Sequence, residues 1–222
     1  SPGKGVPVLR TLLAALVAAM LITLPLGTAP AADAKDFTAL FDAVRPLQSD
    51  PANAQTVFCT ATQIDKQKHL WLTATHCVIH GGPLFIGDAS ALILHMLPVE
   101  DGDITILYSP LSTAPADVKM AKNPPKRGDR ITVIGFPAGI GPIVTQGYVG
   151  SPRVFFTYYN EWLMSLDVSI CGGNSGSAVL NSKGEVISVL TRYHYPRPPC
   201  MALAGGPPWA QLVSFAHEYF RR

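Results

Sequence analysis

The sequence predicts an all-β protein, and three observations support this fold class. From Thr56 onward, short runs rich in β-branched and aromatic residues recur, and Gly, Pro, Asn and Asp residues separate them. Many short strands at regular spacing are typical of a β-sandwich or a β-barrel. The chain has 222 residues, of which 48% are hydrophobic, so it holds enough apolar material for one packed domain or a compact pair.

The charge composition favours a folded protein without a nucleic-acid partner. The formal net charge is +2, from 17 basic and 15 acidic residues, so electrostatics gives no reason to expect binding to nucleic acid. Charged residues make up 14% of the chain, and no segment is charge-dense enough to predict disorder.

Residues 1–34 are predicted to form a signal peptide or a membrane anchor. Lys4 and Arg10 precede the apolar run at residues 11–27, and small residues follow this run up to Ala34. A positive start, an apolar centre and small residues at a cleavage site are the features of a secretory signal peptide. The sequence therefore predicts export of the rest of the chain.

The alternative for this segment is an uncleaved membrane anchor, because residues 11–32 could nearly span a bilayer. Pro25 and Gly27 shorten the apolar run, which favours cleavage, either after Ala34 or after Ala31. Both alternatives place the body of the chain outside the cytoplasm. We therefore expect a secreted or periplasmic protein, or a membrane-anchored one with an extracytoplasmic catalytic domain.

Residues 35–54 are predicted to form a short helix and a linker. Within residues 35–47, apolar side chains recur at helical spacing, and Pro46 is expected to end the helix. The apolar positions are Phe37, Leu40, Phe41 and Val44. The polar stretch SDPANAQ that follows predicts a linker.

The strand-like runs fall into two groups, at residues 55–118 and 119–206. The polar, Pro-rich segment at residues 112–130 is the natural connector between them. Residues 207–222 open with two prolines and continue with a broad apolar stripe, which predicts a terminal helix packed on the β body. The sequence thus predicts two β units followed by one helix.

The four cysteines form no C-x-x-C pair, which argues against a zinc knuckle or a thioredoxin-like motif. An even number of cysteines behind an export signal favours disulfides, and sequence alone allows three pairings. Four buried free thiols are the alternative. The cysteines are Cys59, Cys77, Cys171 and Cys200.

Ser175 is a candidate nucleophile, because it lies between glycines in the stretch CGGNSGSAVL. A serine nucleophile needs a base, a group that orients the base, and preorganised donors for the developing oxyanion. Gly173 and Gly176 flank the turn and remove bulk that would block a tight bend. The amides of Gly173 and Ser175 could then point into one hole. The alternative is a tight turn that happens to contain serine.

His76 is the candidate base, because it follows an apolar strand-like run in LTATHCV. His80 is four residues away, but no H-E-x-x-H pattern supports a metal site, and we expect none. Asp103 is the candidate orienting carboxylate, since it begins an apolar run in EDGDITILY. Asp101 and Asp88 are nearby rivals, and a DGD stretch alone is most often a turn.

Three motifs, TATHC, DITIL and CGGNSGS, resemble the TAAHC, DIAL and GDSGG motifs of the chymotrypsin/trypsin-like serine peptidases, and their order is the same. The resemblance extends from Gln55 to the C-terminus. It implies a double six-stranded antiparallel β-barrel, here followed by a C-terminal helix. It also implies a triad of His76, Asp103 and Ser175, an oxyanion hole from the amides of Gly173 and Ser175, a protein or peptide substrate, and no cofactor.

The resemblance further implies how the cysteines pair and where the substrate pocket lies. The family's disulfide positions match Cys59 with Cys77 and Cys171 with Cys200. The base of the primary pocket corresponds to Ser169, followed by Ile170, and the pocket wall to Thr191 and Tyr193. With no carboxylate at the base, we expect a small or medium uncharged side chain before the cut. The alternative is that Ser169 is only a strand residue.

Two departures from the digestive enzymes point to another branch of the family. Asn174 replaces the aspartate that pairs with a freshly cut N-terminus in trypsin-like zymogens, so we expect that switch to be absent. Ser177 replaces the second glycine after the nucleophile, and GNSGSAVLNSKGEVISV is similar to HtrA-type and compact bacterial, phage or viral relatives. Because 22 residues follow Cys200, we expect no PDZ-like domain.

The sequence therefore predicts an exported serine endopeptidase. Two alternatives stay open. One is a catalytically silent relative that acts as a binding or scaffold module. The other is a self-processing protease of a viral or phage polyprotein.

Overall fold

The structure is a computed structural model that describes residues 37–112, 114–194 and 203–220. The predicted signal peptide or anchor at residues 1–34 lies outside these ranges. Two seven-stranded antiparallel sheets and two helices make up the described fold. Within these ranges, neither helix has both the length and the apolar character needed to cross a bilayer.

The first sheet contains seven strands and supplies the N-terminal half of the fold. The strands are β1 (Val44–Gln48), β2 (Val57–Asp65), β3 (Leu70–Thr73), β4 (Phe85–Ile86), β5 (Ala89–Ser90), β6 (Leu92–Met96) and β7 (Thr105–Tyr108). They lie in the order β5-β4-β1-β2-β3-β7-β6. The short β-branched and aromatic runs of the sequence therefore pair mostly with near neighbours along the chain.

The second sheet contains the remaining strands and lies C-terminal to the predicted connector. The strands are β8 (Arg130–Gly135), β9 (Ile143–Phe156), β10 (Glu161–Asp167), β11 (Ala178–Leu180), β12 (Val186–Val189), β13 (Arg192–His194) and β14 (Leu203–Gly206). They lie in the order β12-β11-β8-β9-β10-β14-β13. The predicted all-β class is confirmed, with seven strands in each sheet where six were expected.

The predicted helix at residues 35–47 is mostly wrong. Helix α1 covers only Thr38–Phe41, and the segment Val44–Gln48 is strand β1. Pro46 lies opposite Thr60 of β2 in the ladder. Proline lacks the N–H that a helix interior needs, whereas a strand tolerates it where that N–H has no partner. Pairing with β2 also buries Val44 and the residue after Pro46, which a free helix would have left half-exposed.

A shared apolar cluster joins the two sheets and the C-terminal helix. Helix α2 (Trp209–Phe220) confirms the predicted terminal helix, and it buries Leu212 and Phe215 in this cluster. Each of these two side chains contributes roughly 1.5–3 kcal/mol by leaving water. Both sheets supply members of the cluster, among them Leu70, Leu72, Ile106, Ile134, Leu180 and Val189. The core therefore holds the two halves against each other.

A disulfide between Cys59 and Cys77 confirms one predicted pairing and anchors the turn after β3 to strand β2. The two Cα atoms are 6.2 Å apart, and 18 residues separate the cysteines along the chain. Cys171 is half-buried, with a free thiol among the described residues. Its implied partner, Cys200, lies outside the described residues, so the second pairing stays a prediction.

Replacing Cys59 and Cys77 together by alanine should lower the free energy of unfolding by about 3 kcal/mol, because the bridge restricts a loop of this length in the unfolded chain. Urea denaturation with and without a reductant measures the change. Cys171→Ala is the control, and it should respond to the reductant as the wild type does. Equal stability of the oxidised and reduced wild type would contradict the expectation.

Candidate active site

His76 stands in a short turn directly after strand β3. All four residues of β3 are buried, and the chain then turns through Thr75–Cys77 as one turn of 3₁₀ helix. Cys77 is held by the disulfide, and the N–H of Thr75 donates to the carbonyl of Asp103 at 3.3 Å. The His76 side chain is 33% exposed, so its ring can reach solvent or a ligand.

Asp103 is buried at the start of strand β7, with only 1% of its side chain exposed. Its backbone has φ +58°, a left-handed conformation that Asp tolerates better than most residues. The preceding Gly102 also has positive φ, and the N–H of Asp103 donates to the Pro98 carbonyl at 3.0 Å. This tight turn sends the carboxylate inward and not into solvent.

Both carboxylate oxygens of Asp103 accept hydrogen bonds from His76. The backbone N–H of His76 donates to Oδ1 at 2.8 Å, and ring atom Nδ1 lies 2.7 Å from Oδ2. Because an ionised carboxylate only accepts, Nδ1 carries the hydrogen and Nε2 is left with the lone pair. The pair therefore fixes both the position and the tautomer of the imidazole, with Nε2 free to take a proton.

Arg192 completes the surroundings of Asp103, and sequence reasoning missed this role. Its Nη1 donates to Asp103 Oδ2, and its Nη2 donates to the Val99 carbonyl at 2.9 Å and to Glu161 Oε1 at 3.1 Å. Only 10% of the Arg192 side chain is exposed. The available signal was an arginine at the end of the strand-like run EVISVLT, since an arginine that becomes buried is almost always paired.

The turn that carries Ser175 is bound to strand β2 of the other sheet. The N–H of Thr60 donates to the Ser175 carbonyl at 2.8 Å, and Thr60 Oγ1 donates to the Gly173 carbonyl at 2.8 Å. Thr60 Oγ1 also accepts from the Phe136 N–H at 3.0 Å. One buried threonine therefore sets the position of the serine turn relative to the sheet that leads to His76.

Glycine is required at Gly176, immediately after the serine. Its φ is +86°, and a Cβ there would lie 2.2 Å from Thr73 Oγ1 and 2.3 Å from the Thr60 carbonyl. No real side chain is compatible with such contacts. The turn can therefore approach strands β2 and β3 this closely only because Gly176 has no side chain.

The amides of Gly173 and Ser175 at this turn have no hydrogen-bond partner among the described residues. The Gly172 carbonyl accepts from the Ala138 N–H at 2.6 Å, and the planar trans peptide turns the Gly173 N–H to the opposite side. Within the described part of the chain, neither the Gly173 amide nor the Ser175 amide donates to a protein acceptor. Both residues line a cavity, so two donors are available there for a ligand oxygen.

His76 and Ser175 line the same cavity, which has a volume of about 670 Å³. Gly173 and the Cys59–Cys77 bridge also line it. Among the described residues, no hydrogen bond joins His76 to the Ser175 hydroxyl. In unliganded enzymes such a contact is often loose and tightens when the substrate binds. The structure thus brings the predicted base, nucleophile and oxyanion donors to one cavity.

Of the four predicted pocket residues, Tyr193 lines this cavity, and the other three do not. Ser169 is exposed, Ile170 packs against the core of the second sheet, and Thr191 is buried with its hydroxyl unpaired within the described residues. The Tyr159 hydroxyl donates to the Tyr193 carbonyl at 2.5 Å. Burial raises the pKa of Tyr159, although the nearby Arg192 cation lowers it, so the hydroxyl keeps the proton it donates.

Cys59, His76 and Cys77 are the group of described residues that could approach a metal ion, with ligand atoms within 4.8 Å of one another. The disulfide removes both thiolates, which are the form of cysteine that binds metals. These residues therefore do not fit a metal centre while the bridge is formed.

The family model described as the trypsin-like peptidase domain matches residues 59–189, which is more than half of the chain and includes His76, Asp103 and Ser175. This chain belongs to the trypsin-like peptidase family. By family it is a serine peptidase, a class of hydrolase, as the sequence predicts.

Curated relatives match part of this chain. A probable serine protease do-like from Buchnera aphidicola subsp. Acyrthosiphon pisum (strain APS) is 32% identical over 93 residues, which is 40% of this chain and 19% of that protein. A probable periplasmic serine endoprotease DegP-like from Buchnera aphidicola subsp. Baizongia pistaciae (strain Bp) is 40% identical over 68 residues, 30% of this chain and 15% of that protein. The chain therefore spans less than a fifth of the length of these relatives.

Solved structures share the fold at low sequence identity. Rv3671c from M. tuberculosis H37Rv, in an inactive mutant form, has a TM-score of 0.63 and 16% identity, over 82% of this chain and 88% of that chain. A second structure of the Rv3671c protease, also an inactive form, has a TM-score of 0.64 and 16% identity, over 82% of this chain and 91% of that chain. These likenesses show a shared fold.

Thr60→Val should lower kcat/KM about tenfold, because it leaves the Gly173 carbonyl and the Phe136 N–H buried without partners, a loss of about 1–3 kcal/mol. The matched control is Thr62→Val in the same strand, which removes only the 3.3 Å bond from the Ala178 N–H. Peptide hydrolysis and thermal unfolding of both variants measure the difference. If Thr62→Val loses as much activity, the tether to the serine turn is not the cause.

Proposed function

We propose that this chain is the catalytic domain of a serine endopeptidase that hydrolyses peptide bonds through Ser175, His76 and Asp103. The observation that carries the proposal is the hydrogen-bonded pair of His76 and buried Asp103, with the His76 side chain lining the same cavity as Ser175. The unpaired amides of Gly173 and Ser175 at the same cavity give further support. Membership of the trypsin-like peptidase family is consistent with this activity.

In the proposed first step, Ser175 Oγ attacks the carbonyl carbon of the scissile peptide bond, and His76 Nε2 takes the hydroxyl proton. Asp103 holds the Nδ1–H tautomer of His76 and stabilises the imidazolium that forms. The carbonyl oxygen becomes an oxyanion as the new carbon–oxygen bond forms. Hydrogen bonds from the Gly173 and Ser175 amides to this oxygen would each contribute about 3 kcal/mol.

In the proposed second step, the tetrahedral intermediate collapses and the carbon–nitrogen bond breaks. His76 gives its proton to the leaving amine, and the acyl group stays on Ser175 as an ester. A water molecule then gives a proton to His76 Nε2 and attacks the ester carbon. The second collapse returns the proton to Ser175 Oγ and releases the carboxylic acid, so the enzyme is regenerated without a cofactor.

The proposed site of action is outside the cytoplasm. Three observations support this location: the signal-like sequence of residues 1–34, the Cys59–Cys77 disulfide, and curated relatives whose names describe periplasmic endoproteases. Disulfides persist mainly in oxidising compartments such as the periplasm and the extracellular space. N-terminal sequencing of the mature protein would distinguish a cleaved signal from an anchor or a self-cut junction.

A fluorophosphonate probe should label the wild type and fail to label Ser175→Ala, because the probe reacts only with an activated serine hydroxyl. The matched control is Ser177→Ala, which removes a buried hydroxyl that has no partner within the described residues, and it should label like the wild type. An unlabelled, folded and oxidised wild type would favour a silent binding module.

Asp103→Asn should lower kcat by roughly 10⁴-fold, because it disturbs the His76 tautomer.

Digestion of a peptide library should show cleavage mainly after small or medium uncharged residues. The reason is that no aspartate or glutamate is among the described residues that line the cavity of His76 and Ser175, so nothing there would pair with a basic side chain. Mass spectrometry of the products gives the preference directly. Strong selectivity for Arg or Lys before the cut would contradict this assignment of the pocket.

A further inference from the structure

Arg192 is a buried cation that joins two carboxylates behind the proposed catalytic pair. Its side chain is 10% exposed, that of Asp103 is 1% exposed and that of Glu161 is 16% exposed. Removing an arginine from water is costly unless it is paired and fully hydrogen-bonded. The two carboxylates and the carbonyls of Val99 and Thr191 meet this need. Because burying Arg192 beside Asp103 is costly, we expect Arg192 to have a role in the site.

The guanidinium and the imidazole bind the same atom. Asp103 Oδ2 accepts from His76 Nδ1 at 2.7 Å and also from Arg192 Nη1. The second contact fixes the plane of the carboxylate, because the far side of the guanidinium is held by the Val99 carbonyl and by Glu161. The orientation of the His76 ring therefore depends on Arg192 through Asp103.

Arg192 also has an electrostatic effect that opposes catalysis. A positive charge beside Asp103 weakens the attraction between that carboxylate and a protonated His76. Glu161 offsets this effect, because Asp103, Arg192 and Glu161 together carry one negative charge, the same as Asp103 alone. Arg192 can therefore orient the Asp103 carboxylate, while the net negative charge that stabilises a protonated His76 is kept.

Other charged and titratable groups face this cluster from several elements. The Tyr159 ring centre lies 5.5 Å from Arg192 Cζ, and the Tyr159 hydroxyl binds the Tyr193 carbonyl. Glu161 also lines a neighbouring cavity, together with charged residues of the turn before Asp103 and of strand β9. These residues are Glu100, Asp101 and Arg153. Glu161 is the carboxylate of this set that bonds to Arg192, so it is the one expected to balance the cation.

We propose that Arg192 is a positioning residue that orients Asp103 and, through it, His76, and that Glu161 balances the Arg192 charge so that His76 remains an effective base. This inference rests on the proposed endopeptidase function. It adds Arg192 and Glu161 to the groups that control the proposed reaction, although neither touches the substrate.

The test compares Glu161→Gln and Arg192→Gln by the pH dependence of kcat/KM. Glu161→Gln removes a negative charge, so a protonated His76 is less stable and the acid limb should move to lower pH by roughly 0.5 unit. Arg192→Gln removes a positive charge, so the acid limb should move by a similar amount to higher pH. The double variant should lie between the two, because both charges are then absent.

The control is Glu100→Gln, which neutralises a nearby carboxylate that has no hydrogen bond to Arg192 among the described residues. Its acid limb should stay within about 0.2 unit of the wild type, because solvent screens a charge outside the cluster. A merely structural role for Arg192 and Glu161 would lower activity without shifting the limb in opposite directions. Unshifted limbs, or shifts of the same sign, would overturn the proposal. If Arg192→Gln does not fold, the direction of the Glu161→Gln shift alone decides.

A second measurement separates this inference from the proposed function. NMR titration of the His76 ring in a Ser175→Ala background reports the pH midpoint of His76 without any need for activity. Opposite displacements of that midpoint in the two variants support the charge balance even if the fluorophosphonate probe fails to label the wild type. A labelled wild type with an unmoved His76 midpoint in both variants would retain the endopeptidase and reject the role of Arg192 and Glu161.

Discussion

The buried carboxylate of Asp103 is the constraint on which the site depends. A charge with 1% exposure is stable only if its oxygens are bonded, and the chain supplies the partners from distant segments. His76 offers two donors from the turn after β3, and Arg192 offers a third from the edge of the second sheet. Satisfying one carboxylate therefore brings together groups from both halves of the molecule and, as a result, orients the imidazole.

The position of the turn that carries Ser175 depends on a different constraint, the close approach of its backbone to neighbouring strands and turns. Gly173 and Gly176 have positive φ, and a side chain on either would collide with the backbone of another strand or turn. Thr60 occupies the space between the sheets and binds the turn through its hydroxyl and its amide. The two glycines permit this close approach, and the hydrogen bonds of Thr60 hold the turn in place. Gly173 and Ser175 therefore line the cavity, and their amides do not pair in a β-ladder among the described residues.

The local features were largely predictable from the sequence. Short runs rich in β-branched and aromatic residues indicated most strands, and the apolar stripe after residue 207 indicated helix α2. Strand β1 was missed, because its apolar residues also fit helical spacing and Pro46 suggested an end and not a strand position. Strand β9 (Ile143–Phe156) continues through Gly147 and Gly150, although glycines were expected to separate the strand-like runs. In both cases pairing with a neighbouring strand outweighed local preference.

The catalytic candidates were found because three motifs carry them in a fixed order, whereas the groups behind Asp103 lie in no motif. Arg192 is 89 residues from Asp103 and 31 from Glu161, so only the fold brings their charges together. No motif indicated the role of Thr60 either, since its partner Gly173 is 113 residues away along the chain. A short stretch of sequence predicts the helix or strand on which a side chain lies. A contact between side chains of two sheets depends on tertiary packing, which a short stretch of sequence does not reveal.

The division of the site between the sheets couples chemistry to complete folding. His76 and Asp103 lie in connections between strands of the first sheet, whereas Ser175 lies in the turn between β10 and β11 of the second sheet and Arg192 in its strand β13. A molecule in which only one half has formed holds a hydroxyl without a base, or an imidazole without a hydroxyl. In the proposed mechanism such a molecule has no complete triad and cannot hydrolyse a peptide bond, so activity would appear only after both halves have folded.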